Sequence, residues 1–224
     1  MMREALIAAI EEFASQRYAN YPAEKGAAFH SELFMLSGGL ADAILALPVG
    51  GGVDCHGLDT PERVCFYEQD FYVLSNFSAF TLMWEGLRFD TLEAAYHWEK
   101  FRAYSFVPAR IEVQEAIRLA PSAHEAFKIA QEEKFRRVPD WDDIKVYTMA
   151  CLLRAKVDQH EYVRRKLLAT GDRELVENSW RDDFWGWGPN GDGQNMLGKL
   201  WMDVRSELQA EAALAALSAD GEKT

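Results

Sequence analysis

The sequence predicts a mainly α-helical domain with a few short β-strands, a hairpin near residues 80–90, and an N-terminal helical extension. Three observations lead there. Helical runs cover most of the chain after Pro108, at 109–119, 122–133, 141–159, 161–169 and 196–217. Residues 80–89 read as two short strands around a turn at Glu85-Gly86. The run Pro48-Val49-Gly50-Gly51-Gly52 breaks the chain between an early helical part and the rest. The expected division is 1–60 as a helical extension, 61–217 as the main domain and 218–224 as a disordered tail.

Residues 1–18 carry Leu6, Ile10, Phe13 and Arg17 at helical spacing, and Tyr21-Pro22 ends that run. A second helix is expected over about 29–47. Neither holds a constellation of chemical groups, so the pair is expected to pack on the main domain or on a second subunit, which allows an oligomer. Val64 to Tyr67 reads as a strand. Phe71 to Phe77 suits a strand or a buried loop, with Asn76 as a polar group that must find partners. Asp90 or Thr91 then caps a helix that runs on through Phe101. Further on, Pro121-Ser122 and Pro139-Asp140 mark helix starts, and Thr170-Gly171-Asp172 marks a helix end.

Composition narrows the function. The hydrophobic share of 49% and charged share of 27% suit a folded, soluble chain. No apolar run approaches the ~20 residues needed to span a bilayer, and the first residues do not read as a signal peptide. The net charge of −12 repels a phosphate backbone, so no general nucleic-acid binding is expected. A local group of Lys and Arg can still hold one phosphate. Cys55, Cys65 and Cys151 lack metal-ligand or disulfide spacing, which suits a reducing cytoplasm and predicts no metal and no cofactor.

The helix at 91–101 carries two stripes. Ala94, Trp98 and Phe101 form an apolar one; Glu93, Tyr96, His97 and Lys100 form a second beside it. If the first faces the core, the second brings a carboxylate, an imidazole and an amine to one cleft at its edge. The same pattern fits an ordinary surface helix, with Glu93 and Lys100 as a structural pair. Lys128, Arg136 and Arg137 form a basic group suited to an anion or to solubility. Residues 175–199 are dense in Gly, Trp and acids: Glu177 and Asp182 supply carboxylates, and Trp185 and Trp187 supply planar faces or core aromatics. Asn195 is expected to cap the last helix, whose N-terminus favours an anion. Gly193 to Lys199 imitates a phosphate-binding loop, but Leu200 stands where a hydroxyl is required and no strand precedes it.

Taken together, Leu74-Ser75-Asn76-Phe77, Thr91-Leu92-Glu93 through Lys100-Phe101, Asp140-Trp141, the Leu-Leu-Ala-Thr-Gly run at 167–171, Leu175-Val176-Glu177, Asp182 to Gly186, and Asn195 to Lys199 resemble the YbiA-like, or NADAR, family over about 64–209. The resemblance implies a compact helical domain with short strands. It implies an N-glycosidase that hydrolyses the C1–N bond between ribose and an amino-substituted heterocycle. Family members act on phosphorylated ribosylamino-pyrimidine intermediates of riboflavin synthesis; others remove ADP-ribose from guanine. The small phosphorylated ribosyl substrate is therefore the first expectation and an ADP-ribosylated nucleotide the second. A non-catalytic module that binds ADP-ribose or NAD is the alternative from another class.

The resemblance carries over Asn76, Glu93, Lys100, Trp141, Glu177, Asp182, Trp185 and Lys199 as site positions. Tyr96, Lys128, Arg136, Gly186 and Asn195 are added as substrate-binding candidates. Three positions depart from the family pattern: Ala94 replaces a His, His97 a Gln and Lys128 an Arg. The catalytic set expected is Glu93, Lys100 and Asp182, with burial raising Glu93 so that it serves as acid/base. Lys100 is then either a cation beside Glu93 or an amine that forms an imine with opened C1.

Overall fold

A computed structural model describes residues 59–66, 69–102 and 107–221. The helices expected over 1–18 and 29–47 lie outside the described residues. The elements are β1 (Arg63–Cys65), a 3-10 turn (Gln69–Leu74), β2 (Leu82–Trp84), β3 (Leu87–Phe89), α1 (Leu92–Glu99), α2 (Pro108–Arg118), α3 (Ala123–Glu132), a 3-10 turn (Lys134–Arg136), α4 (Trp141–Gln159), α5 (Glu161–Leu168), β4 (Glu174–Val176) and α6 (Met196–Gly221). The chain divides into two compact units. Residues 49–206 form the larger, and residues 207–221, which continue α6, fall in the other. Residues 218–221, where a tail was expected, continue α6, and 222–224 lie outside the described residues.

Helix α1 is central to the larger unit, packing against α2, α3, α4 and the β2–β3 hairpin. Its start is fixed by Thr91, whose hydroxyl accepts from the Ala94 N–H at 3.2 Å. Pro108 opens α2, where its missing N–H costs nothing. Ser122 caps α3 by accepting from the Glu125 N–H. Asp140 stands at the N-cap of α4, where a helix start was expected, but its side chain makes no cap hydrogen bond. In the hairpin, β2 and β3 pair antiparallel, Leu82 with Phe89 and Trp84 with Leu87. Both turn residues have positive φ, 51° at Glu85 and 76° at Gly86, which matches the twist of paired strands.

Where a strand or a buried loop was expected from Phe71, residues through Leu74 form part of a 3-10 turn and no strand. Strand β1 pairs in parallel with β4, 63 with 174 and 65 with 176. That pairing brings the segment after β4 beside the segment after β1, and so carries Glu177 toward the centre of the unit. The core around these elements includes Phe66, Leu74, Phe89, Phe101, Leu152, Leu175 and Trp201, all with almost no exposure.

Candidate functional site

The second stripe of α1 does not lie at an exposed edge. Glu93, Tyr96 and His97 are as buried as Ala94 and Phe101, at 8%, 5% and 2% exposure. Lys100 is half-buried. A buried carboxylate is costly unless it is bonded, and Glu93 is bonded. Its Oε1 lies 2.7 Å from His97 Nε2, and the Asn76 side-chain amide adds a hydrogen bond. The Glu93 backbone N–H donates to Asn76 O at 3.1 Å, which ties α1 to the turn ahead of it.

The titration of this cluster reverses one expectation. Burial pushes the Glu93 carboxyl upward, but His97, then Lys100 and Asn76, outweigh it and hold the group below the ordinary carboxylate range. Glu93 is an anion. Burial likewise keeps His97 neutral against the pull of Glu93, so Nε2 is the protonated nitrogen that donates. The acid that keeps its proton is Glu177: burial, with the negative charge of Glu93 and of Asp182 nearby, pushes it up to about 8. Burial brings Lys100 down to about 8, opposed by Glu93.

Aromatic rings join the two segments. Tyr96 lies 5.1 Å from Trp141 and 5.6 Å, edge to face, from Trp185. The Trp185 indole N–H hydrogen-bonds the Tyr96 hydroxyl, and burial together with Glu93 keeps that hydroxyl protonated. The Lys100 ammonium sits over both the Tyr96 ring at 4.8 Å and the Trp141 ring at 5.8 Å. Glu93, Tyr96, Lys100, Trp141, Glu177, Asp182 and Trp185 are thus within reach of one another's rings or charges.

The other candidates fall elsewhere or have other duties. Asp182 spends one oxygen on the backbone N–H groups of Phe184 and Trp185, at 2.9 and 2.7 Å, and shapes their turn. Asn195 does not cap α6 with its side chain. Its Oδ1 accepts from the Glu177 N–H at 3.0 Å and its Nδ2 donates to Leu175 O at 2.8 Å, leaving its amide committed to backbone. Gly186 is needed for close approach: a Cβ there would lie 2.8 Å from Glu177 O. Lys128 is exposed and faces Glu125 at 3.9 Å. Arg136 pairs with Glu133 at 3.2 Å, and Lys199 is exposed. The charges that do surround Lys100 include Arg137 and Asp142. Asp142 bridges Arg137 at 2.6 Å and Lys145 at 3.1 Å, and Lys145 lies over the Phe184 ring at 4.2 Å. Sequence reading passed over Lys145; its only signal was the i,i+3 spacing from Asp142.

An open cleft of about 510 Å³ lies at the N-terminal ends of α1 and α3, lined by Phe77, Arg88, Thr91 and Ser122 among others. None of the clustered titratable groups lines it. No group of three metal-ligating side chains is placed to hold an ion among the described residues, and none of their helices is long and apolar enough to cross a membrane.

Residues 65–209 match the NADAR domain. The chain belongs to the NADAR family. The chain is 36% identical over 153 residues to a riboflavin biosynthesis protein of Vibrio vulnificus, covering 67% of this chain and 40% of that protein. It is 32% identical over 142 residues to the N-glycosidase YbiA of Escherichia coli, covering 63% of this chain and 84% of YbiA. An N-glycosidase of Nostoc punctiforme is 33% identical over 151 residues, with 65% and 92% covered. The NMR structure of E. coli YbiA superposes with a TM-score of 0.60 at 31% identity, covering 69% of this chain and 89% of that one. The mainly helical NADAR fold with few short strands is therefore shared, and residues 1–64 precede the matched region.

Proposed function

We propose that the protein is an N-glycosidase that hydrolyses the C1–N bond between a ribose phosphate and an amino-substituted heterocycle. One observation carries the reading: the buried Glu93 and the half-buried Glu177, close enough to feel each other's charge, sit together beside the aromatic cluster, and their carboxyls are shifted in opposite directions. Two carboxyls set apart in this way divide the work of base and acid. Glu177 gives its proton to the departing nitrogen as the C1–N bond breaks. Glu93 takes a proton from the water that attacks C1 and stabilises positive charge on the sugar as it develops. The products are a ribose phosphate and the free heterocyclic amine.

The remaining groups suit that substrate. Tyr96, Trp141 and Trp185 offer ring faces and edges for a planar heterocycle. Lys100, with a value of about 8, is mainly an ammonium ion at neutral pH and keeps Glu93 ionised. Arg137 and Lys145 supply positive charge for the phosphate in place of Lys128, Arg136 and Lys199. Relatives named N-glycosidase and riboflavin biosynthesis protein support a ribosylamino-pyrimidine phosphate as the substrate.

The test is hydrolysis of ribosylamino-pyrimidine phosphate by the purified full chain, beside ADP-ribosylated guanosine and NAD. Release of ribose phosphate by the wild type and its loss in folded Glu93→Gln supports the reading. Faster turnover of ADP-ribosylated guanosine replaces the substrate but keeps the chemistry. Binding of ADP-ribose with no bond cleaved in any of the three rejects it.

A further inference from the structure

Lys156, in the last turn of α4, has no exposed surface. Among the described residues no carboxylate offsets its charge, and burial alone shifts it, down to about 7. An amine so placed is costly unless every hydrogen is used. All three are used, on one short segment: Nζ donates to Val73 O at 2.7 Å, to Ser75 O at 2.9 Å and to Ser78 Oγ at 2.8 Å. The Leu74 carbonyl between them accepts from the Trp201 indole N–H at 2.8 Å. Three consecutive carbonyls thus turn inward to side-chain donors from α4 and α6.

The residue this segment delivers is Asn76. Beyond its bond to Glu93 its side chain is weakly held: Nδ2 also reaches the Met149 sulfur at 3.5 Å, and Oδ1 has no hydrogen-bond partner among the described residues. The direction of the amide therefore depends on where the backbone puts it. Asn76 O in turn accepts from the Glu93 N–H at 3.1 Å. We propose that Lys156 is a positioning residue that acts through Val73, Ser75 and Ser78 to set Asn76 against Glu93. A neutral amide cannot supply three donors at one point, and an apolar side chain leaves Val73 O and Ser75 O to the Ser78 hydroxyl and N–H alone.

The inference rests on the proposed N-glycosidase reading for its kinetic test. Lys156→Met, Asn76→Ala and the double variant are compared in the full chain, with folding followed by circular dichroism. Lys156→Met is expected to lower kcat about tenfold with KM changed less than about threefold, below the ~10²–10⁴ lost when an acid/base group is itself removed. In the Asn76→Ala background the same change is expected to cost less than about twofold, because interacting sites are not additive. Losses that multiply, or full activity of folded Lys156→Met, overturn the proposal. If Lys156→Met does not fold, Ser78→Ala, which removes one Lys156 acceptor together with the hydroxyl's own bond to the Val73 and Ser75 carbonyls, takes its place in the same cycle, with the same two outcomes. If the wild type hydrolyses no ribosylamine, the proposed function fails by itself. The Asn76 side-chain ¹H–¹⁵N resonances then decide this inference: they shift or broaden in Ser78→Ala if it holds, and stay unchanged if it does not.

Discussion

His97 donates from Nε2 to Glu93 Oε1 at 2.7 Å, one helical turn away, with both side chains almost out of solvent. Nothing among the described residues bonds its other nitrogen, Nδ1. The neutral imidazole therefore contributes one directed N–H to an anion that burial otherwise disfavours. A hydrogen bond to a charged group is worth about 1.5–3 kcal/mol. Removing it in His97→Met is expected to raise the acid limb of kcat/KM by ~1–2 pH units, at 1.36 kcal/mol per unit. His97→Gln keeps an N–H donor and is expected to leave the limb in place. Coincident limbs in wild type and His97→Met show that the bond does not set the charge of Glu93.

Glu177 predicts the other side of the profile. Its value is raised to about 8, so the acid form is present below that pH and is lost above it. Rate is expected to fall about tenfold per pH unit above that point. Lys100 titrates near the same value and also loses its proton there. The Lys100→Arg variant separates them, since its cation persists and any alkaline limb that remains belongs to Glu177. Glu177→Gln is expected to lose ~10²–10⁴ in kcat. A pH-independent rate between 7 and 10 in Lys100→Arg removes Glu177 from the acid role.

How much of this was legible depends on range along the chain. Thr91 capping α1 and Glu85-Gly86 turning the hairpin are local choices, and both are readable in a few residues. The β1–β4 pair was not: each strand is three residues long and more than a hundred residues from its partner, so no periodicity announces it. The stripe of Glu93, Tyr96, His97 and Lys100 was visible, but its depth was not. Spacing gives a face, and only packing of α2, α3 and α4 around α1 decides that both faces are buried. The same limit explains the reversal at Glu93. Burial alone raises a carboxyl, and the compensating bonds from His97 and Asn76 are set by the fold. Asn195 was legible as a helix-start residue from its amide chemistry, yet that amide goes to β4 and Glu177, which no local pattern specifies.

Lys100 offers a choice between two chemistries that the structure weights toward one. Its ammonium lies over the Tyr96 and Trp141 rings, which favour the charged form. Glu93 favours it as well. The expected role is a fixed cation, not an amine nucleophile. Lys100→Met is expected to lose ~10² in kcat while Lys100→Arg loses less, in line with a positioned electrostatic group. Borohydride added during turnover at pH 7 is expected to leave the protein mass unchanged. A mass increase of one reduced ribosyl phosphate at Lys100 establishes the imine route instead.

Gly198 links stability to the site. It sits in the first turn of α6 where the helix meets β4, and a Cβ there would lie 2.0 Å from Leu175 O and 2.6 Å from the Asn195 amide. Those are the atoms that fix Glu177: Asn195 bonds Leu175 O on one side and the Glu177 N–H on the other. Neither is a flexible chain end that can swing away cheaply, because one is strand backbone and the other is a doubly bonded amide. Gly198→Ala is therefore expected to cost at least the ~1–3 kcal/mol typical of overpacking, read as a lower urea midpoint. Because the strain falls on the mount of Glu177, the surviving folded fraction is also expected to show a displaced alkaline limb. Gly171→Ala is the control: a Cβ there meets nothing within 4 Å, although its φ of 61° adds local strain. It is expected to lower stability through the helix end and leave the limb unmoved. Equal displacement of the limb in both variants separates the limb from the Asn195 clamp.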